Sequence, residues 1–242
     1  MKRMRVFAGP NGSGKTTLVA QFIKEKSKLI NPNRHINPDH LNLIDVLDFD
    51  NFGLKVDESD FRDFIFQSPF YSDSYIDIKD IQVNNNRFNI INRNSYMGAM
   101  LADYLRHCYI YSKETLFSYE TVLSHSSKID FFKNAKNCGW QVYLYFVSTI
   151  DVCINQSRVE ERVLKGEHDV PPDKIQDRYT RSHDNLFAAL QNCRRAYIFD
   201  NSKQMQLIAE KNPDNSLILS NEGSIPTWFD ECVLSKINER LS

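Results

Sequence analysis

The stretch Gly9-Pro10-Asn11-Gly12-Ser13-Gly14-Lys15-Thr16 constrains this chain more than any other. It fits G-x-x-x-x-G-K-[ST], the phosphate-binding P-loop or Walker A motif. An apolar run (Arg5-Val6-Phe7-Ala8) precedes it and an amphipathic stretch (Thr17 to Lys26) follows. Strand, glycine-rich turn and helix start are the context the motif needs. Glycines at 9, 12 and 14 open backbone angles closed to other residues, so several N–H groups can turn toward one anion. The helix N-terminus adds partial positive charge. The residues expected to hold a nucleoside triphosphate are Gly9, Asn11, Gly12, Ser13, Gly14, Lys15, Thr16 and Thr17. Lys15 suits the outer phosphates, and the Thr16 hydroxyl suits a magnesium ion.

The rest of the chain reads as alternating strands and helices. Residues 4–8 predict the first strand and 15–26 the helix after the loop. Lys28-Leu29-Ile30-Asn31 predicts a second strand. Residues 95–111 have helical spacing, with Met97, Leu101, Tyr104, Leu105 and Cys108 on one side. Leu116 to Glu120 reads as a strand, and Lys128 to Cys138 as a helix closed by Gly139. Trp140 to Val147 is apolar nearly throughout, as a parallel strand covered on both faces should be. Helices over 150–164 and 172–190, a strand over 196–202, weak strands at 206–210 and 216–219 and a final helix over 227–240 complete the pattern. It predicts an α/β P-loop NTPase fold, a mostly parallel sheet flanked by helices, with ligands at the carboxyl ends of the strands.

Residues 42–95 break the alternation with a mixture of Asp, Asn, Phe and Ile. They read as an α+β insertion after the second strand, within a single domain over 1–242. Ile76 to Ile81 alternates like an exposed strand, and Asn84-Asn85-Asn86 before Arg87-Phe88-Asn89-Ile90-Ile91 reads as a hairpin return.

Composition narrows the partners. The 242 residues carry 30 basic and 31 acidic side chains, with no block of one sign, which argues against a nucleic-acid or membrane surface. No apolar run approaches the roughly 20 residues that cross a bilayer. Five scattered cysteines without a C-x-x-C pair read as free thiols, and zinc is not expected. With the P-loop starting at residue 9, no signal peptide is expected, and the expected location is the cytoplasm.

Three further places bear on chemistry. Asp39, after Ile36-Asn37-Pro38, stands at a helix start, where it can cap the helix or orient and deprotonate an attacking hydroxyl; the two roles are compatible. Glu120 ends a buried strand and is followed by Thr121, so it can hold a magnesium-bound water, grip an acceptor, or be a surface carboxylate. Arg158 and Arg162 share a helix face, as do Arg178 and Arg181 on the next helix. Between them Lys165 to Pro172 reads as a mobile connection, so residues 158–182 form a candidate lid whose arginines neutralise the transferred phosphate or pair with Glu161 and Asp177. His168 lies in that connection.

Together these residues resemble the zeta-toxin family of P-loop kinases, in its small stand-alone bacterial branch. The resemblance rests on Gly9 to Thr17, Ile36-Asn37-Pro38-Asp39, Tyr119-Glu120-Thr121-Val122-Leu123-Ser124, Arg162 with Gly166 to Pro171, Arg178-Tyr179-Thr180-Arg181-Ser182 with Asn185-Leu186, and Phe199-Asp200-Asn201-Ser202. It implies an ATP- and Mg2+-dependent kinase. Its characterised members phosphorylate the 3′-hydroxyl of UDP-N-acetylglucosamine and poison cell-wall synthesis, and a protein antitoxin covers the cleft of a toxin. It assigns Asp39 as catalytic base, Lys15 and Thr16 as phosphate and metal contacts, and Glu120 to the acceptor cleft beside Thr121. Arg162 and one of Arg178 or Arg181 would clamp the phosphates, and Asp200 and Asn201 would lie near the adenine. After the glutamate this chain has Thr121-Val122-Leu123-Ser124-His125 where toxins acting on the nucleotide sugar have a glycine-rich continuation with an arginine. That departure leaves the acceptor open to other nucleotide derivatives.

Two other readings follow from the loop motif alone. An ATP-binding switch or mechanical ATPase needs a strand ending in Asp-Glu and a Ser-Gly-Gly signature, whereas Trp140 to Val147 runs into Ser148-Thr149. A nucleic-acid kinase needs a basic stripe, which the sequence lacks.

Overall fold

The computed structural model describes residues 1–25, 29–68, 71, 75–166, 169–220 and 225–241. The chain divides into two compact units, residues 1–29 with 120–242, and residues 30–119.

The first unit is an α/β sheet. β1 (Lys2–Ala8), β7 (Trp140–Ser148) and β8 (Arg195–Asp200) run parallel, with Val6 opposite Leu144 and Phe146 opposite Ile198. β9 (Gln206–Lys211) and β10 (Leu217–Leu219) extend the sheet antiparallel, in the order β10-β9-β8-β7-β1. The apolar run of β7 is buried because both of its faces are covered. α1 (Lys15–Glu25) follows the P-loop and buries Leu18 and Val19. α5 (Ser127–Asn137) ends at Gly139, whose φ of 81° is the left-handed turn that glycine takes without strain. α6 (Val152–Val163) is capped by Asp151, and α7 (Pro172–Asn192) starts with proline at its first turn. α6 and α7 are tied by an apolar cluster, in which Val170 and Ile175 pack with Val159. Glu167 and His168 lie outside the described residues. α8 (Thr227–Phe229), a π-helical turn over 230–234 and α9 (Ser235–Leu241) close the chain.

The second unit has a parallel pair and a small antiparallel sheet. β2 (His35–Ile36) pairs with the first part of β6 (Leu116–Thr121), His35 opposite Ser118 and Ile36 opposite Tyr119. β3 (Val46–Asp48), β5 (Arg87–Ile90) and β4 (Ile81–Asn84) form the order β3-β5-β4. The expected hairpin turns at Asn85 and Asn86, with φ of 49° and 63°. Asparagine tolerates this region, and the Asn86 amide also donates to Asp50 (2.8 Å) and Leu54 O (3.0 Å). Behind the sheet, Phe49, Phe61, Phe88 and Tyr104 form an aromatic core with centroids 4.3–5.9 Å apart. Tyr104 comes from α4 (Ser95–Tyr111), and α3 (Glu58–Phe66) supplies Phe61.

Three local expectations are corrected. The second strand is His35–Ile36 and not residues 28–31, because the Asn31 side chain accepts from Asn33 N (3.0 Å) and caps a 3-10 turn over Pro32–Arg34; residue 28 itself lies outside the described residues. Ile78–Asp80 is a 3-10 turn capped by Asp77, so the strand starts only at Ile81. The cap of α2 (Pro38–Leu41) is Asn37, whose Oδ1 accepts from Asp39 N (2.9 Å), so Asp39 stands inside the first turn.

Candidate phosphate-binding site

β1 delivers the chain into the loop at Ala8, and α1 takes it away at Lys15. Glycine is needed at position 9, with φ of 139°, because a side chain there would run into the Val147 carbonyl of β7. It is needed at position 12, with φ of 71°, because the loop lies against the Asn155 carbonyl of α6. Lys15 Nζ donates to Gly9 O (2.9 Å) and Pro10 O (2.8 Å), which holds its ammonium group across the hollow of the loop. Gly9 N donates to Thr121 O (3.2 Å).

Two asparagines hold the loop from outside. Asn155 is fully buried; its amide donates to Asn11 O, and its Oδ1 accepts from the Thr149 hydroxyl. Asn201 Nδ2 donates to Ser13 O (2.8 Å), and its own N–H donates to Ser148 O (2.7 Å). With these carbonyls bound from the back, the loop is held in place by α6 and by the turn after β8. Asn11 Oδ1 and Ser13 Oγ are buried with no hydrogen-bond partner, a polar deficit that native interiors rarely leave. The resemblance assigns Asn201 to the neighbourhood of the adenine, and its bond to Ser13 O carried no sequence signal. Asn155 carried no sequence signal, because an asparagine in the first turn of a helix looks like any surface polar residue until the fold turns it toward the loop.

The Thr16 hydroxyl donates to Glu120 Oε2 (2.8 Å), and Glu120 is buried. A hydroxyl and a carboxylate at the loop mouth are hard oxygen donors, and they suit Mg2+, which binds through one or two protein oxygens and completes its shell with phosphate and water. Thr121, also buried, accepts on Oγ1 from Leu123 N (3.2 Å). Leu123 is fully buried with φ of 62°, a backbone region that disfavours such a side chain. α7 holds this strained turn: Ser182 Oγ donates to Val122 O (2.7 Å) and Asn185 Nδ2 to Leu123 O (2.9 Å). The segment that departs from the glycine-rich pattern thus takes a glycine-like turn without a glycine.

The four arginines differ. Arg158 Nη2 donates to the main-chain oxygen of Asn201 (2.8 Å), the residue whose side chain binds the loop, and its Nη1 is buried without a partner. Arg162 lies one turn further along α6, half-buried. Arg178 is half-buried on α7 beside Tyr179, whose hydroxyl donates to Thr149 O (2.7 Å). Arg181 is exposed and pairs with Asp177. Asp200 accepts from Trp228 Nε1 (3.1 Å), Ser202 N (3.0 Å) and Ser202 Oγ (3.0 Å), and the Ser202 hydroxyl in turn accepts from Ile150 N (2.8 Å). Its carboxylate therefore ties the C-terminal helix to the turns after β7 and β8. Thr17 is exposed in the first turn of α1. Asp39 is exposed in the first turn of α2, within the second unit.

Known structures share this fold. A crystal structure of AvrRxo1-ORF1:-ORF2 with ATP matches at a TM-score of 0.57 and 13% identity over 99% of this chain and 63% of that one. The same complex with sulphate ions matches at 0.54 and 11% over 92% and 62%. A structure from the PezAT toxin–antitoxin system of Streptococcus pneumoniae overlaps more loosely, at 0.48 and 15% over 100% and 88%. This chain thus spans about 63% of the length of the first of these. No family model and no curated protein matches the sequence. The likeness establishes that this chain shares its α/β fold with a chain of the AvrRxo1-ORF1:-ORF2 structure.

Proposed function

We propose that this chain is an ATP-dependent kinase of the zeta-toxin type, transferring the γ-phosphate to a hydroxyl of a small nucleotide derivative such as UDP-N-acetylglucosamine. The observation that carries the reading is the loop mouth: Lys15 laid across the phosphate hollow, with the Thr16 hydroxyl bound to the buried Glu120. A fold shared with a protein solved with ATP supports it.

In this reading the triphosphate displaces the Gly9 and Pro10 carbonyls from Lys15, which turns its charge to the outer phosphates. Thr16 and Glu120 would hold Mg2+, which supplies positive charge to the bridging and terminal oxygens. Asp39 accepts the proton of the acceptor hydroxyl. That oxygen bonds to the γ-phosphorus while the bond to the bridging oxygen breaks, and ADP leaves with the electron pair. Asn37 performs the capping of this turn by accepting from Asp39 N (2.9 Å). Arg162 and Arg178 are proposed to neutralise the transferred group, Arg181 and Asn201 to contact the nucleotide, and Thr121 the acceptor. Arg158 joins them because of its bond to Asn201. Five free cysteines suit the reducing cytoplasm. A protein antitoxin is the proposed partner, since the AvrRxo1 neighbour was solved as a two-protein complex.

The test is ATP consumption against a panel of nucleotide sugars, nucleosides and dinucleotides, with mass spectrometry of the product. Asp39→Asn is expected to lower acceptor-dependent ADP release by about 10²-fold or more while ATP still binds. Full turnover in that variant refutes the base. ATP hydrolysis that no acceptor accelerates favours an ATPase switch instead.

A further inference from the structure

α2 is a single turn of helix, too short to hold an orientation of its own, so its packing decides where Asp39 stands. It packs on α4, and the contact point is Gly98. Gly98 is buried in the first turn of α4, between the buried Met97 and Met100. A glycine there costs helix stability, about 1 kcal/mol relative to alanine. Its backbone is ordinary helix, so no special angle calls for it. Space does: a Cβ at this position would run into the Asn42 side chain and stand 2.9 Å from Pro38 O.

Those two atoms belong to the two ends of α2. Pro38 O accepts from Asn42 N (3.2 Å), the bond that closes the turn around Asp39. Asn42 Oδ1 is buried without a hydrogen-bond partner, laid over Gly98. Asn42 can swing aside, but the Pro38 carbonyl is backbone and moves only with its turn. The N-terminal side of α2 is fixed as well: Asn37 is buried, and β2 is paired to β6. α4 is anchored by its own cap, Asn94, which accepts from Met97 N (2.8 Å) and donates to Tyr75 O (3.1 Å).

We propose that Gly98 is a positioning residue, which sets the Asp39 carboxylate by letting α2 seat directly on the α4 backbone. This rests on the reading of Asp39 as the base. Gly98→Ala moves Pro38 O by a few tenths of an ångström and turns the helix that carries the base.

The experiment measures ADP release with ATP, Mg2+ and UDP-N-acetylglucosamine as probe acceptor, or with water as acceptor where the sugar nucleotide is not turned over. Gly98→Ala is expected to lower kcat by about tenfold or more, since small misplacements of a reacting group are costly. The KM for ATP should stay within about twofold. The thermal midpoint should not fall in proportion, because alanine is the better helix former. Adding Asn42→Ala should restore part of kcat by clearing half of the clash. Unchanged kcat in a folded Gly98→Ala protein overturns the inference, as does a crystal structure of the variant with Pro38 unmoved. An equal loss in kcat, ATP affinity and stability overturns it too. Where Gly98→Ala does not fold, Asn42→Gln crowds the same contact from the other side and carries the same expectation. Asp39→Asn run alongside separates the cases: if it leaves turnover intact the base assignment fails, and if it alone lowers turnover only the role of Gly98 fails.

Discussion

The two units of this chain hold their candidate site residues by different means. Around the P-loop, small amides do the holding: Asn155 and Asn201 each bind a loop carbonyl, and buried parallel strands supply the frame. In residues 30–119 strands are only two to four residues long until β6, and the frame is an aromatic core behind one long helix. The acids and asparagines that make this region hard to read have a common use. Asn31, Asn37, Asp48, Asp57, Asp77 and Asn94 each cap a helical turn through the side chain. Short turns need many caps because each leaves its first N–H groups without partners. A rigid site can therefore rest on long buried strands or on many separately capped turns around aromatic rings.

Removing a ring should test that contrast hardest. Phe88 is fully buried and touches Phe49, Phe61 and Tyr104. Phe88→Ala should cost about 3–5 kcal/mol in chemical denaturation. Phosphoryl transfer should fall with it while ATP binding, measured by calorimetry, largely persists. Equal loss of both would show that the two frames are one.

The next effect lies in the first unit. His183 on α7 is buried, bonds Ser148 Oγ through Nε2 (2.7 Å) and stacks on Trp228 at 5.1 Å. Burial pushes its pKa down to about 4 from an ordinary 6.5. The unfolded chain then binds the proton more readily than the folded one, so stability is full above about pH 6.5 and falls as pH drops toward 4. The loss should reach on the order of 3 kcal/mol at the acid end. His183→Gln should flatten that part of the stability–pH curve, and an unchanged slope would assign the acid sensitivity to other groups.

The smallest effect concerns a single cap. Asp77→Ala removes the acceptor of Lys79 N (2.9 Å), and it should cost about 1 kcal/mol in thermal or urea unfolding. A change below a few tenths would mean that the aromatic core, and not the capped turns, carries this region.

Much of the first unit was legible because its signals are local. Glycine spacing marks the P-loop, a continuous apolar run marks β7, and Gly139 marks the end of α5. The hairpin at Asn85 and Asn86 was legible for the same reason. The strand expected at residues 28–31 failed because an apolar pair followed by asparagine reads equally as a strand end or a capped turn, and Asn31 made it the latter. Asp39 stood out for its sequence context, but Asn37 as the cap did not, since asparagine and aspartate are both favoured capping residues.

The sequence by itself determined the phosphate loop, the alternation that builds a parallel sheet, and the order of the residues around it, because each is written in neighbouring positions. Only the tertiary structure decided that Asn155 and Asn201 brace the loop, that Arg181 faces Asp177 while Arg158 reaches Asn201, and that Gly98 is the floor beneath α2. Those pairings join residues far apart in the chain, and only close packing makes one partner of an exposed-looking asparagine or a helical glycine the right one.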